Sequence, residues 1–303
     1  MGAIILSAVS LGTLWAVMTL GVYITYRILN IADLTVEGSI ATGAAVAAHL
    51  ISVGVSPWAA TAAAIGSGML AGLATGLLHT KLKIPPLLAG ILTMIALYSV
   101  NLRIMGKSNI PLLKTATVFT GIQTAFNLDK NIAILIIGVI CALAVSVFMY
   151  WFFGTELGCA VRDTGSNPQM ARAQGINTDT MINIGLVISN GLVAFSGALI
   201  AQNQSYADVQ MGTGSIVIGL ASLIIGEVLF AMKTNSFKRV IFAVCLGAVL
   251  YRVIIALVLK AGMNPNDLKL FTAITVAFCL ALPVGRGYLM TIAKSLKGGG
   301  SNA

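Results

Sequence analysis

The chain has 303 residues, 58% of them hydrophobic and 9% charged. A water-soluble domain carries about a quarter charged residues, so a soluble globular fold is excluded: too little polar side chain exists to face water all round. The net charge of +9 does not point to nucleic acid, because the bases sit in the connections between apolar runs, where membrane proteins place them.

The elements are taken in chain order. Residues 3–27 are apolar, lack a basic start and an obvious cleavage site, and read as a retained span. A second span, 38–54, is short and contains Gly38 and Gly43. Asp33 and Glu37 stand where it begins, as partners of the positive helix end or as a gate. In the third span, 57–79, Gly68, Gly72 and Gly76 form one face that lets another backbone approach closely. Span four, 86–104, opens at Pro85-Pro86, where proline suits a helix start. The 26-residue connection 105–130, with Pro111 and Gly121, leads to span five, 131–153. Asn190 lies near the middle of span six, 179–203, with Ser189 and Ser196 nearby, to bond across helices or touch a solute. Span seven, 213–232, carries Glu227 near its inner end, within reach of Lys233 or Arg239. Arg252 lies deep in span eight, 239–260, as an anchor or a pathway residue. Span nine is 268–284.

The polar stretch 154–179 separates spans five and six. Asn167 can cap a helix, Pro168 suits its first position, Gln169 to Gln174 continue it, and Gly175 supplies a left-handed stop. Asn177 or Thr178 can then cap the next span. The spacing predicts one two-turn helix held at the membrane surface. If this loop is cytoplasmic, eleven bases fall inside, including Arg27, Lys83, Arg162, Arg172 and Lys238, and six outside, including Arg103, Lys107 and Lys130. That excess predicts an outer N-terminus and a cytoplasmic C-terminus.

A repeat runs through the chain. Ala32-Asp33-Leu34 precedes Gly38-Ser39-Ile40, and Ala207-Asp208-Val209 precedes Gly214-Ser215-Ile216, with spacings that differ by one residue. Spans one to four then match six to nine in inverted topology, a common transporter plan. The expected fold is an all-α integral membrane protein of about nine transmembrane helices in two inverted repeats. One transmembrane domain, 1–303, divides into a first repeat (1–104), an external connection with span five and the cytoplasmic loop (105–178), a second repeat (179–290) and a cytoplasmic tail (291–303).

No enzyme motif is present. Gly106-Lys107-Ser108 ends like a phosphate-binding loop, but Asn101 stands where that loop needs its first glycine. Cys141, Cys159, Cys245 and Cys279 are scattered, and His49 and His79 are unpaired, so neither disulfide nor metal is expected. A secondary transporter and a non-transporting scaffold or membrane enzyme are the competing classes. The carboxylates lie near span ends or in loops rather than at mid-membrane, which disfavours ion coupling.

Two stretches carry a family resemblance. Glu156-Leu157-Gly158-x-Ala160-x-Arg162-Asp163, followed by Asn167-Pro168-x-x-Ala171-x-x-x-Gly175-Ile176-Asn177, resembles the coupling-helix region of ATP-binding-cassette importer permeases of the branched-chain amino acid and ribose type. Ala32 to Ser39 is similar to the subgroup thought to import aromatic amino acids such as tryptophan. The resemblance implies a type II-like importer fold and a prokaryotic plasma membrane location. It implies that Asn167, Pro168, Gln169, Met170, Ala171, Arg172, Ala173 and Gly175 couple to an ATPase, with Met170 and Ala171 in its groove. Asp33, Glu37, Asn190, Glu227 and Arg252 are the candidates for pathway or gate. The implied partners are a second permease copy, two ATPase subunits that hold ATP and Mg, an extracytoplasmic binding protein and the bilayer, with no cofactor in this chain and no nucleic acid. The expected substrate is a tryptophan-like aromatic amino acid, with branched-chain amino acids or another small solute as the alternative.

Overall fold

The computed structural model describes residues 2–113, 115–127, 129–231, 236–262, 267, 270–275 and 277. The tail, most of span nine, Lys233 and Cys279 lie outside the described residues. Among the described residues eleven helices are bounded at both ends: α1 (Gly2–Tyr23), α2 (Thr35–Ser52), α3 (Pro57–Thr80), α4 (Pro86–Met105), α5 (Val118–Phe126), α6 (Lys130–Phe152), α7 (Glu156–Ser166), α8 (Pro168–Ala173), α9 (Thr178–Gln204), α10 (Ser215–Gly226) and α11 (Phe237–Lys260). Two short strands, β1 (Asn109–Pro111) and β2 (Tyr206–Asp208), pair antiparallel with Asn109 opposite Asp208.

Six of the described helices, α1, α3, α4, α6, α9 and α11, are long and apolar enough to cross a membrane. The expected second and seventh spans are smaller. α2 has 18 residues, rich in alanine and glycine, and α10 has 12 before its backbone widens into a π-helical turn at Glu227–Ala231. A similar π-helical turn, Ile24–Ile28, ends α1.

Local sequence explains the helix boundaries. Pro57 and Pro86 sit in the first turns of α3 and α4, where a missing N–H costs nothing. Gly106 closes α4 in the left-handed region at φ 65°. The 105–130 connection is more than a link, because it holds β1 and α5. Thr117 and Thr120 exchange bonds in a capping box that starts α5.

The core forms around α9, against which α1, α2 and α3 all pack. Close approach comes from small residues. A Cβ on Gly68, Gly72 or Gly76 of α3 would overlap Asn190, Leu186 or Asn183 of α9. Polar backbones thus meet without bulky side chains between them, the usual device of membrane helix pairs. Lys83 Nζ lies 3.1 Å from Asp179 Oδ2 at the start of α9, while β2 follows the far end of the same helix. A 27-residue helix is about 40 Å long, so the 154–179 loop and the Lys107 region sit at opposite ends of the molecule.

Candidate coupling surface and polar interior

Between α6 and α9 the chain folds into two helices, where the sequence predicts one. Thr155 Oγ1 accepts from Gly158 N at 3.3 Å and starts α7. Asn167 then breaks the helix with extended backbone, and its Oδ1 accepts from Met170 N at 3.1 Å to start α8. Gly175, at φ 83°, ends α8 with its N–H bonded to Arg172 O, and Ile176 N closes on Ala171 O. Asn177 caps α9 through Thr180 N. Each of these signals is local, which is why it is visible in the sequence. The start of α7 at a threonine cap was missed, although Thr155 three residues before Gly158 is such a signal.

The surface of α8 differs from expectation at one position. Met170 is 58% exposed, but Ala171 is 1% exposed and faces the chain's own interior. Asn167, Pro168, Gln169, Arg172, Ala173 and Gly175 are exposed with Met170. Ala171 therefore fastens the short helix down, while its neighbours form the outward face. Arg172 Nε donates to Thr178 Oγ1 at 2.8 Å, which ties α8 to the start of α9. Gly165 of α7 leaves no room for a Cβ against the Ile28 carbonyl, so α7 lies hard on the π-helical end of α1. α8 thus joins α9 directly and reaches the end of α1 through α7.

Asp33 and Asn190 come together, far apart in sequence. Asn190 Nδ2 donates to Asp33 Oδ2 at 2.8 Å and to the Leu186 carbonyl at 3.1 Å, and Ser39 Oγ donates to Asn190 Oδ1 at 2.6 Å. Asp33 Oδ1 accepts from Thr35 N at 2.9 Å, which opens α2. Thr35, Thr75 and Thr93 continue the chain of hydroxyls at 2.7 and 2.9 Å into α3 and α4. All of these residues are buried. Thr75 lies five residues before the end of α3, so α2 begins about 8 Å inside that end. α1 and α2 thus form a broken pair whose junction is buried at Leu29 and Asp33 and exposed at Asn30 and Ala32. The three threonines had no distinguishing signal in the sequence.

The other candidates are separate. Glu37 Oε1 accepts from Gly214 N at 2.9 Å, so a carboxylate on α2 caps α10. It also lines a groove of about 440 Å³ with Met94, Tyr98, Asn101, Gln210 and Thr213. Asn101 is 1% exposed, and neither amide atom has a hydrogen-bond partner among the described residues. Glu227 meets Arg27 in a bidentate pair, Arg27 Nε to Oε1 at 2.8 Å; of its expected neighbours, Lys233 lies outside the described residues. The π-helical ends of α1 and α10 bring these two groups together across 200 positions. Arg252 stacks its guanidinium 3.9 Å from the Trp15 ring centroid, an anchor between α11 and α1.

The chain was compared with known proteins. The family model described as "Branched-chain amino acid transport system / permease component" matches residues 4–281. A protein named "Tyrosine transport system permease protein" from Clostridioides difficile (strain R20291) is 42% identical over 277 residues, covering 91% of this chain and 90% of that one. The ribose import permease protein RbsC of Escherichia coli (strain K12) is 26% identical over 213 residues, covering 70% of this chain and 65% of its own length. A solved ABC transporter of metal-chelate type, in an inward-facing conformation, is 14% identical and aligns over 93% of this chain and 85% of that one with a TM-score of 0.48. The family match spans nearly the whole sequence and includes both the broken α1–α2 pair and the two helices α7 and α8: the chain belongs to the permease components of branched-chain amino acid transport systems, a transport family rather than a catalytic one.

Proposed function

We propose that this chain is the membrane subunit of an ATP-binding-cassette importer for an aromatic amino acid. α8 carries the proposal: a short helix, capped at both ends and exposed along one face, stands at one end of a membrane bundle. A separate motor needs such a rigid handle, and a self-powered carrier does not. Asn167, Pro168, Gln169, Met170, Arg172, Ala173 and Gly175 form the contact with the ATPase, and Ala171 anchors it. In this reading α8 is cytoplasmic, the N-terminus lies outside and the C-terminus lies inside. Two permease copies, two ATPase subunits and one extracytoplasmic binding protein make the assembly. ATP and Mg bind in the motors, whose closure moves α8 and alternates access to a path between the two permeases.

Local geometry supports the inverted repeat. Asn30 and Ser205 are both left-handed, at φ 55° and 61°. Each lies three residues before an aspartate, and each aspartate bonds the backbone N–H two residues on, Asp33 to Thr35 and Asp208 to Gln210. The two halves therefore use the same turn after α1 and after α9. A nine-span count divided at 1–104 and 179–290, joined by 105–178, fits that symmetry.

Tyrosine is the first substrate on this reading, given the name of the 42% relative, followed by tryptophan and then leucine. The test is reconstitution in proteoliposomes with an ATPase subunit and a binding protein of this importer type. ATP-dependent uptake of tyrosine or tryptophan above leucine is expected. Uptake that runs on a proton or sodium gradient without ATP would refute the reading.

A further inference from the structure

α6 and α11 both pack on α1 and diverge above it, leaving an apolar groove of about 420 Å³. Its walls are Val139, Leu143 and Val147 from α6 and Phe242, Leu246 and Val249 from α11. On each helix the lining residues recur at steps of three and four, from position 139 to 150 and from 238 to 249. Eleven steps of 1.5 Å make a groove about 17 Å long. That is roughly half of the ~30 Å hydrocarbon core of a bilayer, the depth of one leaflet.

The end of the groove nearest α7 is polar. Lys238 Nζ sits 4.6 Å from the Tyr150 ring centroid across the groove mouth. Beyond Tyr150 a second depression of about 330 Å³ runs to Arg162, whose guanidinium lies 5.4 Å from the ring of Phe237. Trp151, 64% exposed, stands beside it at the level where aromatic residues mark the membrane interface. Among the described residues no carboxylate lines either depression.

We infer that this groove binds one anionic phospholipid of the leaflet on the α7–α8 side, its acyl chain between α6 and α11 and its phosphate at Lys238 and Arg162. The length selects this occupant over a helix of a second copy, which would need a groove across both leaflets. Two cations without a carboxylate select an anionic headgroup over a zwitterionic one. The lipid bridges the start of α11 to α7, the helix that leads directly into α8. Calling the leaflet cytoplasmic rests on the transport reading, but the lipid preference does not.

The experiment uses the delipidated full chain in detergent. Binding of phosphatidylglycerol, of phosphatidylcholine and of free glycerol phosphate is measured by native mass spectrometry and by the shift in melting temperature. Phosphatidylglycerol binds tightest, and Lys238→Gln weakens it about fivefold, the share of one base at a membrane surface. Val147→Trp, which fills the groove and keeps both cations, also abolishes the lipid's thermal shift. Equal binding of the two lipids, an equal shift from glycerol phosphate, or full binding by both variants overturns the proposal. So does a groove covered by a second copy, seen as a dimer lost in Val147→Trp with no change in lipid binding. The readout needs neither ATPase nor substrate, so its failure and a failed uptake assay are distinguishable.

Discussion

Replacing Asn190 by alanine tests the polar interior. The amide makes three bonds: it donates to Asp33 Oδ2 and the Leu186 carbonyl and accepts from Ser39. The Leu186 carbonyl belongs to α9 and keeps its helix partner, so that loss is small. Asp33 and Ser39 are 2% and 0% exposed, and water does not reach them to replace the amide. An unpaired buried hydroxyl costs about 1–3 kcal/mol and a carboxyl oxygen at least as much. The expected destabilisation is therefore about 3–5 kcal/mol, the size seen when one partner of a buried polar pair is removed. Asp33→Ala should cost less in the Asn190→Ala background than alone, by about 1–3 kcal/mol, because the pair shares one bond network. Unfolding in mixed micelles by added SDS measures all four proteins of the cycle. A cost for Asn190→Ala below about 1 kcal/mol, or strict additivity in the cycle, would refute the reasoning.

Gly175 is left-handed with open space around it, so a substitution there is penalised by backbone alone. Coupling of ATP hydrolysis to uptake should fall in the order Gly, Asn, Ala, Val, with Val losing about 1–2 kcal/mol of local stability; wild-type coupling in Gly175→Val would remove α8 from the mechanism. Met170→Glu places a charge on the outward face and should lower ATPase association while leaving the melting temperature unchanged, whereas Ala171→Glu should lower the melting temperature itself. Gly72→Val must push α3 off the Leu186 carbonyl and should prevent assembly of the bundle, while Gly66→Ala, with nothing within 4 Å, should be neutral; near-equal expression and stability of the two would contradict the close packing of α3 on α9. Glu227→Gln should cost under about 1 kcal/mol, since the Arg27 side chain is 53% exposed and water screens the pair; a larger loss in the SDS assay would count against that.

The membrane class, the helix boundaries at Pro57 and Pro86, the α8 helix and the glycine face of α3 were legible in the sequence. Each is a local matter: a run of apolar residues, a missing N–H, a cap three residues from its donor, or a period of four on one helix face. The α7 cap and α5 were equally local, and lay in polar connections that apolar periodicity does not resolve. What tertiary structure alone decided is which distant groups meet. Glu227 reaches Arg27 because two π-helical turns converge, and nothing near either residue in the chain records the other. Glu37 caps a helix 177 positions away. Ala171 turns inward although its neighbours face out, because a two-turn helix lying on α9 must bury one side. Asp33, Ser39 and Asn190 are short polar residues whose partners are set by how closely α2, α3 and α9 approach. That approach depends on glycines of all three helices, Gly43 on α2, Gly72 on α3 and Gly197 on α9.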